Sequence, residues 1–211
     1  SDVYKRQDCD LVTFWKRKSH LTDLVVDMIP PDFSYIQKIL LPLFYTIQMS
    51  VTGTVLGTFF ALVLSPFGAA NLEFPAVMRR ILRIVIQILR SFPALILALT
   101  ATFLFGLGTF AGTFAITLYT FAIMAKLTYE DASAADVKAY QALRAMGVSK
   151  YVAYIHGILP EIIPGFLTNA LYLLETNVRH SSILGYVGAG GIGLLLNEKI
   201  SWLEYDLSLI H

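Results

Sequence analysis

The side chains best suited to ligand chemistry lie near the end of the chain: Glu175, Asn177, Arg179 and Ser181. Glu175 and Arg179 stand four residues apart, the spacing at which a helix brings an acid and a base together. The planar guanidinium of an arginine can donate two parallel hydrogen bonds to one anion. Arg179, with Asn177 and Ser181 nearby, is therefore a candidate to contact an anionic substrate. The alternative is that Glu175 and Arg179 only neutralise each other.

A glycine-rich segment follows from residue 181 to residue 196, and it contains Gly188, Gly190, Gly191 and Gly193. The run matches the G-x-G-x-x-G pattern of dinucleotide-binding sites. That fingerprint also needs an acidic residue about 20 positions later and a βαβ unit, and the sequence ends before such a unit could complete. We therefore interpret these glycines as sites of close helix packing, or as a broken helix beside protein or water.

The other reactive side chains form no catalytic or metal-binding pattern. Cys9 is the single cysteine, and the histidines lack metal-ligand spacing: His20, His156, His180 and His211. The sequence contains no G-x-x-x-x-G-K-[ST] loop, so we expect that this chain does not hydrolyse ATP itself. We predict no catalytic residue, no metal and no cofactor in the chain. The net charge of +1, without a concentrated basic surface, gives no indication of nucleic-acid binding.

Composition indicates what kind of protein positions these residues. Of the 211 residues, 56% are hydrophobic and 15% are charged, whereas an average soluble domain has about a quarter charged residues. Residues 39–72 and 91–125 contain no Asp, Glu, Lys or Arg. As one helix the second run would measure about 52 Å, too long for a bilayer core of about 30 Å. We expect two spans joined at Gly106-Leu107-Gly108, where glycine permits a turn. A large soluble protein is disfavoured.

These runs predict four membrane spans, at about 39–64, 84–105, 109–127 and 158–174. Ser65, Pro66 and Gly68 are expected to close the first, and Arg90 and Pro93 lie near the start of the second. Small residues predict close packing of the first and third spans, although ordinary membrane composition explains them equally well: Ser50, Gly53, Thr54, Gly57, Thr109, Gly112 and Thr113.

The positive-inside rule orients the spans. Loops 66–83 and 126–157 carry arginines and lysines, and the turn at Gly106 carries none, so we place both basic loops in the cytoplasm. The N-terminal tail, with Lys16-Arg17-Lys18, then lies outside, contrary to the rule.

The second basic loop contains a short amphipathic helix. Asp136 is a suitable N-cap and Gly147 a suitable C-terminal stop, and Ser149 can cap a second helix. Four residues at helical spacing form one apolar stripe: Ala139, Ala142, Leu143 and Met146. By periodicity alone, a helix on the membrane surface and a helix that docks in a partner's groove are equally good interpretations.

The same loop resembles the signature loop of type I ABC-importer permeases, with Gln141-Ala142-Leu143, Gly147 and Leu159-Pro160 at the motif positions. The resemblance implies an all-α polytopic transmembrane helical bundle of the MetI-like fold, whose coupling helix sits in a cleft of a cytoplasmic ATPase. The docking residues that it implies are Ala139, Gln141, Ala142, Leu143, Arg144, Met146, Gly147, Leu159 and Pro160. Two positions depart from the pattern. Gln141 replaces a Glu, and Gly157 stands where an aliphatic residue is common.

A longer run, residues 174–193, is similar to the segment that marks phosphonate-transporter permeases, as are residues 30–35. The resemblance implies the permease subunit of an ATP-driven importer in the bacterial inner membrane, which moves phosphonate or a related phosphorus oxyanion by alternating access. Implied partners are a second permease copy, ATPase subunits that bind ATP and Mg, an extracytoplasmic solute-binding protein and the lipid bilayer. The implied path or gate residues are Glu175, Asn177, Arg179, Ser181, Gly188, Gly190, Gly191 and Gly193.

The domain organisation follows from these expectations. Residues 1–7 and 207–211 look non-native, and residues 8–38 form an extracytoplasmic amphipathic segment. Residues 39–206 are the transmembrane domain, with its last span missing and its coupling loop at 128–157. Two rival functions stay open at this point: the same machine with another cargo, such as phosphate, phosphite or an amino acid, and a secondary transporter or channel that needs no ATPase.

Overall fold

The computed structural model describes residues 36–193, and all of the regular structure in that part of the chain is helical. The predicted N-terminal segment 8–38 falls outside the described residues except for residues 36–38, which belong to the first helix. The ends predicted to be non-native and the polar tail after the glycine segment also fall outside. Seven α-helices follow in order: α1 Ile36–Gly68, α2 Ala76–Ser91, α3 Ala94–Phe105, α4 Thr109–Ala134, α5 Lys138–Ala145, α6 Lys150–Gly157 and α7 Leu159–Leu184. A single 3-10 turn, Gly185–Val187, ends the series. The all-α prediction is confirmed.

The first and third predicted spans are confirmed, and both are longer than predicted. Helices α1 and α4 are each long and apolar enough to cross a membrane by themselves. Helix α1 continues through Pro66 to Gly68, and α4 continues seven residues past Leu127. The glycine turn between the second and third spans is also confirmed, because Gly106 and Gly108 have φ angles of 84° and 143°.

The second predicted span is wrong as a single helix. Helices α2 and α3 meet at an angle of 96°, and the break falls at Phe92 and Pro93. Proline lacks an amide hydrogen and drives the residue before it out of the helical region, and Phe92 has an extended ψ of 127°. The 12 residues of α3 measure about 18 Å, less than a bilayer core of about 30 Å.

The fourth predicted span is real but was predicted ten residues too short, since α7 runs on to Leu184. Glu175 suggested an end to the apolar segment. In the structure its side chain points away from the bundle, so the helix passes through this position without burying a charge. Helix α7 meets α6 at 67°, and the two helices together are long and apolar enough to form one bent span.

Small residues allow α1 and α4 to pack against each other along their length. A Cβ placed on Gly53 would lie 2.7 Å from Ile116, and one placed on Gly57 would lie 2.7 Å from Thr120. Neither position can carry a side chain unless the helices separate. The sequence predicted a close-packing face on each of these spans, and the structure shows that the two faces pack against each other.

Candidate docking helix and substrate path

Both predicted loop helices are present, as α5 and α6. The N-cap of α5 is Val137, one residue after the predicted cap Asp136, and the N-cap of α6 is Ser149, as predicted. Asp136 Oδ1 accepts a hydrogen bond from the backbone amide of Lys138 at 3.0 Å. This bond and the nearby Lys138 ammonium lower the pKa of the Asp136 carboxyl. Gly147 has a φ of 85° and stops α5, and Ser149 accepts a hydrogen bond from the amide of Val152 and caps α6.

Helix α5 has one face packed inward and one face uncovered by the described residues. Tyr140 is buried, and Leu143 and Arg144 are half-buried beside it. The remaining predicted docking residues of the helix and its stop are exposed: Ala139, Gln141, Ala142, Met146 and Gly147. The apolar stripe predicted from spacing therefore stands on the outside, apart from Leu143. Met146 is 71% exposed, the largest exposed fraction of any large apolar side chain in the loop 126–157.

Gly157 explains how α5 and α6 come so close. A Cβ at this position would lie 2.7 Å from the backbone nitrogen of Tyr140 and 2.8 Å from its Cα. The departure from an aliphatic residue at position 157 therefore has a structural reason. Tyr140 belongs to a cluster of buried residues at this end of the bundle, which we call the inner cluster: Ala69, Leu72, Ala132, Tyr140, Ala153, Tyr154, Ile158 and Ile162.

Polar contacts also tie the two helices to the loop between α1 and α2. Arg144 Nη2 lies 3.0 Å from a carboxylate oxygen of Glu73, and its Nη1 donates to the carbonyl of Val148 at 2.6 Å. Lys150 Nζ donates to the backbone carbonyl of Glu73 at 2.5 Å. We call these contacts the Glu73 clamp. Both basic loops and both loop helices thus form one packed unit.

The last two predicted docking residues begin the long helix α7. Leu159 is half-buried and Pro160 is exposed. Proline is well placed in the first turn of a helix, where its missing amide hydrogen has no intrahelical partner to lose. This start fixes the bend at which the loop unit passes into α7.

Helix α7 separates the four polar residues predicted for the path into two faces. Glu175 and Arg179 form an ion pair at 3.1 Å, and both side chains are 70% exposed. Asn177 and Ser181 are fully buried. Residues 175 and 177 differ by about 200° around a helix of 3.6 residues per turn, so a shared location was excluded by their spacing. Sequence reasoning missed this separation.

The buried pair belongs to a polar network in the middle of the bundle. Asn177 Nδ2 donates to Thr54 Oγ1 at 2.8 Å and to Thr120 Oγ1 at 2.7 Å. Ser181 and Ser50 join their hydroxyl oxygens at 2.9 Å. Because unpaired polar groups are costly in an apolar interior, this network fixes the register of α7 against α1 and α4.

The glycine segment folds back over the outer ends of α1 and α4. Gly188, Gly190 and Gly191 have φ angles of 82°, 79° and 77°, which other residues rarely adopt. The amide of Gly108 donates to the carbonyl of Gly188 at 2.9 Å. The Thr46 hydroxyl accepts from the amide of Ile192 at 2.8 Å.

Close backbone approach explains two further glycines, Gly193 of this segment and Gly112 of α4, which faces the segment. A Cβ on Gly112 of α4 would lie 2.8 Å from the carbonyl oxygen of Ala189, and one on Gly193 would overlap the carbonyl oxygen of Ser182. The segment therefore covers the outer end through backbone contacts. These contacts agree with both interpretations of the glycines, close packing and a broken helix. The described residues contain no strand, so the βαβ setting of a dinucleotide site is missing from residues 36–193.

Together, apolar helices of membrane length and a packed loop unit with an uncovered apolar face define a multi-span membrane protein. Residues 53–210 match the family described as binding-protein-dependent transport system inner membrane component. The chain belongs to this family, the inner-membrane multi-pass permeases of bacterial ABC importers. Membership implies ATPase and binding-protein partners.

Two relatives show how far the similarity extends. The chain is 31% identical to the phosphite transport system permease protein PtxC of Stutzerimonas stutzeri, over 93% of this chain and 72% of that protein. It is 31% identical to the phosphate-import permease protein PhnE of Mycolicibacterium smegmatis, over 86% of this chain and 34% of that protein.

Solved structures confirm the fold. A chain of the MetNI methionine ABC transporter in an inward facing conformation matches with a TM-score of 0.70 and 20% identity, over 85% of this chain and 89% of that one. A chain of an amino acid ABC transporter matches with a TM-score of 0.64 and 17% identity, over 86% and 88%. At these identities the likeness establishes the MetI-like architecture and carries no information on cargo.

Proposed function

We propose that this permease imports a phosphorus oxyanion: phosphite, phosphate or phosphonate. The observation that supports the proposal best is the similarity, over 93% of the chain, to a permease named for phosphite transport. A second relative is named for phosphate import. The proposed cargoes share a tetrahedral phosphorus atom with negatively charged oxygens that accept hydrogen bonds, so one set of cationic donors serves them all.

In this proposal, the exposed face of α5 docks in the ATPase. Ala142 and Met146 give that face a small and a flexible apolar side chain, a combination that suits insertion into a groove. The inner cluster and the Glu73 clamp attach α5 to the ends of α1, α4 and α7. Movement of the ATPase then reaches the spans through packed side chains, and the spans alternate between outward and inward openings.

We further propose that a second copy of the permease completes the path. Helix α7 exposes large apolar side chains on the same side as its ion pair, with Leu171 68% and Tyr172 66% exposed. A partner helix or lipid covers such residues in a membrane protein. Glu175 and Arg179 then face the space between two copies, and the glycine segment serves as the outer gate above Asn177 and Ser181.

Growth on a single phosphorus source tests the cargo. The full-length permease, its ATPase and its binding protein are expressed in a host without phosphorus-oxyanion uptake of its own. The host then receives phosphite, phosphate or methylphosphonate alone. We expect ATPase-dependent growth on at least one of the three, and the same strain without the ATPase gene is the control. ATPase-dependent uptake of a solute such as methionine, with no growth on any phosphorus source, would contradict the proposal.

Arg179→Gln tests the path at α7. Losing a charge-assisted hydrogen bond to the cargo is expected to lower uptake about tenfold, while assembly with the ATPase is unchanged, because the Arg179 side chain is 70% exposed. Uptake of radiolabelled oxyanion into vesicles gives the rate, and co-purification gives assembly. Thr168→Ala, an exposed position lower on the same helix, is the control. Unchanged uptake in Arg179→Gln would remove Arg179 from the path.

A further inference from the structure

Helix α2 carries a row of arginine and glutamine residues along one face. Arg79, Arg83, Gln87 and Arg90 follow each other at steps of four, four and three residues, which places them on one side of a helix. The row is about 16 Å long. The opposite side exposes apolar residues, including Ile81, Ile84 and Ile88.

The first two arginines have a structural task. Helix α1 ends at Gly68, where its last carbonyl groups have no partner within the helix. Arg83 donates to the Gly68 carbonyl through Nε at 3.0 Å and Nη2 at 2.8 Å, and Arg79 Nη1 donates to the Ala70 carbonyl at 3.4 Å. These two guanidinium groups are therefore committed to holding the end of α1.

Arg90 has no such task. Among residues 36–193 the structure gives its side chain no hydrogen bond and no carboxylate partner, and Gln87 likewise has no side-chain hydrogen bond. Both line a cavity of about 290 Å³ between α2 and α4, and Lys126 and Tyr129 line its α4 side. Arg83 borders the same cavity, with its guanidinium 4.9 Å above the Tyr129 ring.

The charge balance of this cavity is positive. Three cations line it, and within residues 36–193 the one carboxylate that pairs with any of them is Glu130, at 3.4 Å from Lys126. A charge in a membrane segment is costly unless it is paired or faces water. Arg90 lies in the last turn of α2, where the helix dipole stabilises a positive charge, and this explains why a cation is found at the position. The dipole does not account for a polar cavity in front of it.

We propose that this cavity binds a tetrahedral phosphorus oxyanion, with Arg90 as the bidentate donor and Lys126 as the second cation. The amide of Gln87 adds a neutral donor, and the volume leaves room for the anion together with water. The inference rests on the proposed function and deepens it, because it gives the cargo a binding position on α2 and α4 in addition to the exposed pair on α7. The same chemistry also fits the phosphate group of an anionic lipid.

The test uses the full-length permease with its ATPase and binding protein, reconstituted in liposomes. Wild-type uptake of phosphate, phosphite and methylphosphonate is measured first. If none is transported, the proposed function fails before the cavity is tested. Arg90→Gln is then compared with Arg80→Gln, which removes the same charge from the same helix at an exposed position that does not line the cavity.

We expect Arg90→Gln to lower uptake of the transported anion at least about tenfold, with ATPase activity without cargo unchanged, and Arg80→Gln to stay within about twofold. Arg90→Lys keeps the charge and loses the planar fork, so we expect an intermediate rate. Equal rates for Arg90→Gln and Arg80→Gln would overturn the proposal, as would loss of cargo-free ATPase activity in Arg90→Gln alone.

Lipid composition distinguishes the two sources of the anion. Uptake is repeated in liposomes of phosphatidylcholine alone and in liposomes that also contain phosphatidylglycerol. If the cavity binds the cargo, Arg90→Gln lowers uptake equally in both. If the cavity binds a lipid headgroup, wild-type uptake in phosphatidylcholine alone falls to the level of Arg90→Gln. The cavity is then an oxyanion site that binds the phosphate group of an anionic lipid.

Discussion

The two ends of the helix bundle are held together by different means. At the inner end, Tyr140 and Tyr154 are buried in the inner cluster, and the Glu73 clamp joins both loops. Burial of each aromatic ring contributes about 1.5–3 kcal/mol. At the outer end, glycines meet backbone carbonyls and the Thr46 hydroxyl. The buried cluster at that end is built mainly from small side chains, since five of its eight residues are alanine.

This difference suggests a division of labour. Large side chains that bridge several elements make the inner end move as one unit, which suits a surface that receives force from another protein. Backbone contacts between small residues separate at little cost, which suits a gate. Substitutions that disturb each end separately test the comparison.

The largest effect is expected at the inner end, from Gly157→Ala. The new methyl group would lie 2.7 Å from the Tyr140 nitrogen, and backbone atoms cannot rotate away from it. We expect the free energy of unfolding to fall by about 1–3 kcal/mol and transport to fall at least about tenfold in parallel. Thermal unfolding in detergent and vesicle uptake are the measurements.

Gly165→Ala is the matched control for this substitution. Gly165 lies in α7, and a methyl group there would approach no atom closer than Asp131 Oδ2 at 4.0 Å. It should leave stability equal or slightly higher, because alanine is the better helix former. Equal behaviour of the two variants would show that the close contact between α5 and α6 has no consequence for the inner end.

A smaller effect is expected at the outer end, from Gly191→Ala. The substitution combines a φ of 77° with a methyl group 2.6 Å from Thr46 Oγ1. We expect a loss of about 1–2 kcal/mol from the left-handed backbone and a further loss from the contact. Solvent access to the outer end, measured by cysteine labelling at Met49, should increase.

Gly106→Ala separates the two causes. Gly106 has a similar φ of 84°, yet no atom lies within 4 Å of a Cβ placed there. The difference between the two variants therefore measures the contact alone. If Gly106→Ala opens the outer end as much as Gly191→Ala does, contact between the glycine segment and α1 does not close the gate.

The smallest effect is expected from Glu73→Gln, which weakens the clamp while leaving the carbonyl of residue 73 to accept from Lys150. The ion pair with Arg144 is half-exposed, so we expect a loss of only about 0.2–1 kcal/mol. Lys138→Gln is the comparison, since its pair with Asp136 joins residues that are neighbours in sequence. A larger loss for Lys138→Gln would show that the clamp does not join the loops.

Local signals in the sequence predicted local structure well. Gly106 and Gly108 predicted the turn, and Asp136, Gly147 and Ser149 predicted the ends of the loop helices, because a cap depends on its neighbours within a few residues. Pro93 indicated a break in the second span, but that span was predicted as one continuous helix. A charge-free run indicates that a segment is apolar, and it contains no information on the direction of the chain.

It was harder to predict which side of a helix is buried than to predict that the helix forms. On α7, Leu173, Asn177, Ser181 and Leu184 are all buried, and their spacing of four, four and three residues traces one face. That pattern was available in the sequence and was missed because Asn177 and Ser181 were grouped by polarity with Arg179. The cavity at Arg90 lay beyond sequence reasoning, since it depends on how α2 packs against α4.

The central claim is that the exposed face of α5 meets the ATPase, and cross-linking tests it most directly. Cys9 is replaced by serine, Met146→Cys is introduced into the full-length permease, and a short bifunctional reagent is applied to the assembled importer in inside-out vesicles. Phe103→Cys, an 89% exposed position beside the outer turn, is the control. The account predicts a cross-link to the ATPase from position 146 and none from position 103. Absence of that cross-link, or labelling of position 146 by an impermeant reagent from the outer side, would contradict it.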